Sequence, residues 1–295
     1  MIIIGGSSHP TFAQQIAGKL GYDCIIANTK KFADRELKVQ VNKDLYGEDV
    51  IILQSTTKPA NDHLMELLLL ADTARRAGCN SITAVIPYFG YGRQDRASYE
   101  YGPISASLVA RLIETSGIDK VVTIDMHSKQ SEGFFKIRVK NLDPTDFFAK
   151  EFRHSDNYIV ISPDVGGLAR ARVLGSKLGT DLAIINKTRD PQGKCIMSHV
   201  IGNVTGKNCI IIDDIVDTGG TLCEAAKILI QSGAHTVSAC ITHAVFSENC
   251  IDRISQAGFA EFFVTDTVHH QNLPSFINVI QVSELIVKAL LKCNK

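Results

Sequence analysis

The sequence predicts an α/β protein built from two duplicated halves, each a mainly parallel sheet flanked by helices. Three observations point there. Short apolar runs rich in β-branched residues alternate with longer helical stretches along most of the chain, as strands joined by crossover helices do. Closely matching segments recur in the same order in the first and second halves. At 295 residues the chain exceeds the usual size of one domain, so two are expected.

In the first half, strands are expected at Ile2–Ile4, Asp23–Ala27, Val50–Gln54, Ser81–Ile86 and Lys120–Ile124, with helices at Gln14–Leu20, His63–Ala77 and Ile104–Thr115. In the second, strands are expected at Tyr158–Ser162, Asp181–Ile185, Asn208–Ile212, Thr236–Thr242 and Glu261–Val264. Its helices are expected at Leu168–Leu178, Leu222–Gln231, Ile251–Gln256 and Val282–Leu291.

The duplication shows in three places. Lys19-Leu20-Gly21, with Asp23, Ile26 and Asn28 beyond it, matches Lys177-Leu178-Gly179 with Asp181, Ile184 and Asn186. Gly47 before Val50–Leu53 matches Gly206 before Cys209–Ile212, and Gly78 before Ser81-Ile82 matches Gly233 before Thr236-Val237. Three agreements in one order argue against chance. Pro144 interrupts a polar stretch at residues 141–146, so the boundary is expected there, giving domains 1–144 and 145–295.

Hydrophobic content of 45% with 21% charged residues is ordinary for a soluble globular protein. Lysine plus arginine equals aspartate plus glutamate at 31 each, so bulk charge gives no reason to expect nucleic acid as a partner. No apolar run approaches membrane-spanning length, and Met1–Gly6 opens as a strand without a basic leader. Eight cysteines lie far apart with no C-x-x-C pair. That suits reduced packing thiols in a cytoplasmic protein better than disulfides or a zinc site.

The chemistry centres on Cys209–Thr221. Cys209-Ile210-Ile211-Ile212 reads as a strand buried on both faces. Asp213, Asp214 and Asp217 follow, and Thr218-Gly219-Gly220-Thr221 leads into a helix. A turn opening a helix directs N–H groups and the positive dipole end at an anion. Acids beside it would repel phosphate unless they bind a cation or sugar hydroxyls, which suggests a sugar phosphate with Mg²⁺ nearby. The plainer alternative is a capped strand with a solvated acidic turn; three acids together weigh against it. The first half departs here: Gln54-Ser55 stands for Asp213-Asp214, and Ala60-Asn61-Asp62 for the glycines and second threonine. The earlier copy is therefore expected to serve another task.

Other segments carry charge to strand ends. Val85–Arg96 leaves a strand into an aromatic, glycine-rich loop with Arg93 and Gln94, where guanidinium can neutralise phosphate or stack on a base. Asp125-Met126-His127 places an imidazole at a strand's carboxyl end, able to ligate metal, shuttle a proton or touch phosphate. Ser162-Pro163-Asp164-Val165-Gly166-Gly167 supplies another strand-end acid, and Asp164 with His127 could hold one Mg²⁺ with most of its waters kept. Asn186–Lys194 has the composition of a mobile lid, with Lys187 and Arg189 placed to close over a transferring phosphoryl group. Phe32, between charges and followed by Asp34 and Glu36, could form a purine slot with Arg93 on its other side. Singly, the two loops are equally well solvated surface, a lone histidine such as His127 is more often structural, and a phenylalanine such as Phe32 is usually core or an interface.

Taken in order, these segments resemble the ribose-phosphate pyrophosphokinase family over nearly the whole chain. The matching landmarks are Gly6–His9, Lys31–Glu36, Val85–Asp95, Asp125–His127, Ser162–Gly167, Asn186–Arg189 and Asp213–Thr221. The resemblance implies two phosphoribosyltransferase-like domains and transfer of the β,γ-diphosphoryl group of ATP to the 1-hydroxyl of ribose 5-phosphate, with Mg²⁺ as cofactor. It implies that Phe32 and Arg93 sandwich adenine, that Asp34 and Glu36 read its edge from a second copy, and that Gln94 and His127 approach the ATP phosphates. His127 and Asp164 would contact the metal, and Lys187 and Arg189 belong to a catalytic flexible loop. Asp213, Asp214 and Asp217 would face the ribose hydroxyls and metal, with Thr218, Gly219, Gly220 and Thr221 around the 5-phosphate. Self-association as a dimer or higher follows from the shared ATP site. The chain stops soon after Val282–Leu291, and Ala97–Pro103 lacks the basic residues common in the family, so ADP inhibition, phosphate activation and a hexamer are not carried over, and a phosphate-independent dimer or tetramer is one alternative. A phosphoribosyltransferase would share the Thr-Gly-Gly-Thr turn but needs only one such domain.

Overall fold

The computed structural model describes residues 1–152, 157–189 and 195–293, of which 187–189, 195–198 and 293 are described by backbone alone. The chain forms two compact units. One comprises Met1–Asp143, Thr267–His269 and Val282–Lys295; the other comprises Pro144–Asp266 and His270–Gln281.

The first unit runs β1 (Ile2–Gly5), α1 (Pro10–Leu20), β2 (Asp23–Ile26), β3 (Asn28–Lys31), β4 (Leu37–Gln40), β5 (Asp49–Leu53), α2 (Ala60–Arg76), β6 (Ser81–Ile86), α3 (Ser105–Thr115), β7 (Lys120–Ile124) and β8 (Arg138–Leu142). Its six-stranded sheet has the order β2-β1-β5-β6-β7-β8, parallel throughout. Ile2, Ile4, Val50 and Ile52 pack with Leu67 and Leu70 of α2 in one buried core. α1 begins at Pro10, ahead of the expected Gln14, because proline suits the first helical position and the His9 ring nitrogen accepts from Phe12 N at 3.3 Å.

The second unit contains α4 (Thr145–Glu151), β9 (Tyr158–Ser162), α5 (Leu168–Leu178), β10 (Leu182–Arg189), β11 (Cys195–Ile201), β12 (Asn208–Val216), α6 (Gly220–Gln231), β13 (Thr236–Ala244), α7 (Cys250–Gln256), β14 (Phe262–Thr265) and β15 (Ile277–Ile280). Its seven strands take the order β11-β10-β9-β12-β13-β14-β15. Only the β10–β11 pair is antiparallel; the others run parallel. β12 is buried on both faces, as its isoleucines foretell: Cys209 and Ile211 join the core beneath α6, while Ile210 and Ile212 join the one containing Phe148 of α4 and Phe152 just after it. Each such isoleucine contributes about 1.5–3 kcal/mol by leaving water. The six cysteines whose side chains are described form no disulfide, and burial pushes the Cys209 thiol up to about 11.

Setting β11 aside, the two sheets have one strand order, with β1, β5 and β6 answering to β9, β12 and β13. The turns repeat too. Gly47 N donates to Gly78 O at 2.9 Å and Gly206 N to Gly233 O at 2.7 Å, all four glycines at positive φ between 70° and 88°. Only glycine takes that conformation without strain. The duplication is therefore one of backbone as well as sequence.

The last helix, α8 (Ser283–Cys293), belongs to the first unit, whereas the sequence expectation placed 145–295 in the second. Lys19 Nζ of α1 donates to Ser283 Oγ at 2.8 Å, and Lys140 Nζ of β8 to Ala289 O at 3.4 Å. No helix among the described residues is long and apolar enough to cross a membrane.

Candidate functional site

In a doubly wound sheet, ligands sit outside the carboxyl ends of the strands where the connections diverge. In the second unit that point lies between β9 and β12. β12 runs on through Val216, paired with Ala244 of β13, so Asp213 and Asp214 lie on the strand itself and not in the turn after it. Asp214 is buried. Its Oδ1 lies 3.4 Å from Arg170 Nη1, and Asp213 Oδ1 lies 3.8 Å from the same atom. Burial, and secondly the Asp214 charge, push the Asp213 carboxyl well above its usual range, while Arg170 pulls it down.

Arg170 was not singled out from sequence, although a signal existed. It stands in the first turn of α5, where a cation opposes the helix dipole and needs acids nearby. Asp164, exposed at the end of β9, accepts from Gly167 N through Oδ1 at 2.9 Å, and Ser162 Oγ donates to its carbonyl at 2.7 Å. The turn bearing Asp164 is thereby fixed to the start of α5.

Gly219 precedes α6 with φ 77° and ψ −8°. A Cβ there would meet Cys250 Sγ at 3.0 Å, so both conformation and space require glycine. No side chain caps α6, and its first turn holds no acid. The first N–H groups of a helix have no intrahelical acceptor. Gly220 and Thr221 therefore present an anion-binding end, next to Asp213, Asp214 and Asp217, which is the arrangement expected for a sugar phosphate.

The corresponding crevice of the first unit, between β1 and β5, is filled from within. Gln54, wholly buried, accepts from Ser8 N and Ser8 Oγ at 3.2 and 2.8 Å. Its Nε2 donates to Glu66 Oε2 at 2.8 Å. Glu66, 1% exposed, also accepts from Ser7 N at 2.9 Å, Thr29 Oγ1 at 2.6 Å and Ser7 Oγ. Asp62 occupies the first turn of α2 and pairs with Lys31. What remains is a cavity of about 190 Å³ bordered by Ser7, Asp62 and Glu66. Two carboxylates of α2 thus stand where α6 carries Thr221 and Ala225.

The remaining candidates of the first unit fall on two segments. Phe32, Asp34 and Glu36 share the tip of the β3–β4 hairpin, where Phe32 N donates to Glu36 O at 2.9 Å, Asp34 Oδ1 accepts from Glu36 N at 3.1 Å and Arg35 takes φ 75°. Phe32 is 54% exposed. Arg93 and Gln94 lie on the loop after β6, which approaches the backbone so closely that a Cβ on Gly90 would be 2.2 Å from Thr56 O. Gln94 Oε1 accepts from Ser105 Oγ at 2.6 Å. A Cβ on Gly92 would stand 3.7 Å from His127 Cβ, so the loops bearing Arg93, Gln94 and His127 are neighbours. Asp125, at φ 42°, turns the chain after β7 to present His127, which is exposed.

The backbones of Lys187 and Arg189 end β10, opposite Ser198 and Cys195 of β11. Their side chains, and residues 190–194 of the expected lid, lie outside the described residues. Among the described residues no three His, Cys, Asp or Glu side chains gather as a metal cage. Mg²⁺ bound by one or two protein groups, water and substrate phosphate needs none. The exposed Asp164 carboxylate is a hard oxygen donor that fits such a role.

Residues 1–117 match the model for the N-terminal domain of ribose phosphate pyrophosphokinase, and residues 183–295 match that for the phosphoribosyl synthetase-associated domain. The chain is 46% identical over 271 residues to the ribose-phosphate pyrophosphokinase of Agrobacterium fabrum, covering 91% of this chain and 87% of that one. It is 43% identical over 296 residues to that of Brucella melitensis, covering 98% and 96%. It is 40% identical over 300 residues to that of Thermotoga maritima, covering 100% and 95%. Among solved structures, phosphoribosylpyrophosphate synthetase from Mycobacterium smegmatis superposes with a TM-score of 0.93 at 32% identity, covering 99% of this chain and 98% of that chain.

Proposed function

Because the chain belongs to the ribose-phosphate pyrophosphokinase family, we propose that its second unit holds the sugar phosphate and its first unit serves ATP. The reaction is the family's: the β,γ-diphosphoryl group of ATP passes to the 1-hydroxyl of ribose 5-phosphate, yielding 5-phospho-α-D-ribose 1-diphosphate and AMP for nucleotide biosynthesis. The observation that carries the assignment is the contrast between the two crevices. The β9–β12 crevice opens on an acid-free helix end beside three aspartates, whereas Glu66 fills its counterpart.

On this proposal Thr218, Gly219, Gly220 and Thr221 bind the 5-phosphate, and Asp213, Asp214 and Asp217 face the ribose hydroxyls. Arg93, Gln94 and His127 receive the ATP phosphates and one face of adenine. Asp164 of the second unit and His127 of the first would each serve as a ligand for Mg²⁺, which supplies charge neutralisation at the diphosphoryl group. Lys187 and Arg189 would stabilise the transferring group's oxygens, because phosphoryl chemistry asks for alignment and charge more than for covalent help. Phe32, Asp34 and Glu36 would complete the adenine site of a second copy, which makes the working enzyme a homo-oligomer. An aromatic more than half exposed at a hairpin tip supports that role. Described cysteines that form no disulfide suit the cytoplasm, where both substrates are made.

With ATP, Mg²⁺ and ribose 5-phosphate, the protein should release AMP and the diphosphate sugar in equal amounts. Phe32→Ala should raise KM for ATP roughly tenfold, the worth of one stacked base, and leave KM for ribose 5-phosphate unchanged. Steady-state kinetics with each substrate varied in turn checks this. A Phe32→Ala enzyme with normal KM for ATP would remove the hairpin tip from the adenine site.

A further inference from the structure

We infer that Arg253, on α7, is a positioning residue for ribose 5-phosphate: it locks the Thr218–Gly219 peptide so that the Gly219 N–H is turned toward the phosphate. The inference rests on Thr218–Thr221 being the 5-phosphate cradle.

The segment after β13 runs alongside the cradle and takes up its carbonyls one after another. Val245 N and Phe246 N donate to Val216 O at 2.9 and 3.2 Å, and Ser247 N donates to Asp217 O at 2.9 Å. Arg253 Nη1 donates to Thr218 O at 2.9 Å. In a planar trans peptide the C=O and the following N–H point in opposite directions. Holding the Asp217 and Thr218 carbonyls on the α7 side therefore turns the Thr218 and Gly219 N–H groups to the opposite side. A carbonyl rotated the other way would aim its negative end at the phosphate.

The first carbonyls are held by backbone donors, which no substitution removes. The Thr218 carbonyl alone depends on a side chain, and it precedes a glycine, where the peptide plane rotates at least cost. This is the peptide that most needs a lock. Glu248 Oε2 lies 3.6 Å from the other terminal nitrogen, Arg253 Nη2. Cys250, buried beneath Gly219, seats the start of α7 against the same turn. The Arg253 side chain is 45% exposed, so its loss removes little packing.

Arg253→Ala should raise KM for ribose 5-phosphate roughly tenfold or more, the cost of losing a charge-assisted hydrogen bond. KM for ATP should not change, and kcat should stay within about twofold by the same reasoning. Arg253→Lys, whose ammonium can donate to the same carbonyl, should restore most of the loss. Gly220→Asp, which spoils the cradle directly, is measured beside them. If Gly220→Asp raises that KM and Arg253→Ala does not, Arg253 plays no such part and the cradle stands. If neither raises it, the phosphate binds elsewhere and both assignments fall. If Arg253→Ala impairs both substrates alike and Arg253→Lys restores nothing, the residue supports the fold only, and the inference is overturned.

Discussion

Replacing Lys187 or Arg189 by alanine is expected to lower kcat roughly 10²–10³-fold, the usual cost of removing one donor aimed at developing charge. KM for either substrate should change by no more than a few-fold. The expectation follows from when these cations act. On the proposed mechanism they meet the diphosphoryl oxygens only as the group moves, so they stabilise the transition state more than the bound substrates. Their place in the chain suits that timing. Both backbones lie where β10 pairs with β11, the single antiparallel edge of a parallel sheet, with a register shift between Thr188 and Arg189. An edge hairpin can approach a ligand without disturbing the parallel strands behind it. Initial rates over a grid of both substrates would separate kcat from each KM, and near-normal turnover in both variants would take the hairpin out of the chemistry.

Gly220→Asp should raise KM for ribose 5-phosphate roughly a hundredfold or more while leaving the protein folded. Two opposing effects of one carboxylate decide this. A Cβ at Gly220 has no neighbour nearer than Thr218 Oγ1 at 3.9 Å, so the side chain fits. An acid in the first turn of a helix is favourable by about 0.3–1 kcal/mol, so α6 loses nothing. Toward a phosphate in the cradle the same charge is repulsive, by about 4 kcal/mol per unit charge at 4 Å for an effective dielectric of 20. Thermal unfolding should be unchanged or slightly raised, and KM for ATP should hold. A variant that melts normally yet binds ribose 5-phosphate as before would show that the phosphate lies elsewhere.

The sheet interiors were legible in the sequence, as was the edge strand β2, whereas β8, β11 and β15 were not. Ile210–Ile212, buried on both faces, can only be a central strand. β8, read as Arg138-Val139-Lys140-Asn141-Leu142, buries only its last residue fully, and β15 only Ile277. Edge strands can remain polar because one side faces water, so neither shows a strong apolar period. The β3–β4 hairpin was hidden for the same reason. The acids, the Thr-Gly-Gly-Thr turn and the strand-end His127 and Asp164 stood out because residues of that kind rarely follow an apolar strand without purpose. Arg253 could not be foreseen, since its partner is a backbone carbonyl 35 residues away and nothing local distinguishes it from a solvated arginine. The ownership of α8 was equally hidden, because its partners in the first unit, Lys19 and Lys140 among them, lie far off in sequence.

Glu66 gives the ancestral doubling an asymmetric outcome. Two sockets arose, and one now carries a permanent stopper made of the chain itself, so each polypeptide should saturate with a single sugar and not a pair. Nor would pulling the stopper reopen that socket cheaply. Gln54, Ser7 and Thr29 all donate to the Glu66 carboxylate, and without it they would face a void. Stability would suffer before any second guest arrived. The later socket can thus be tuned for its cargo while the earlier one stays shut.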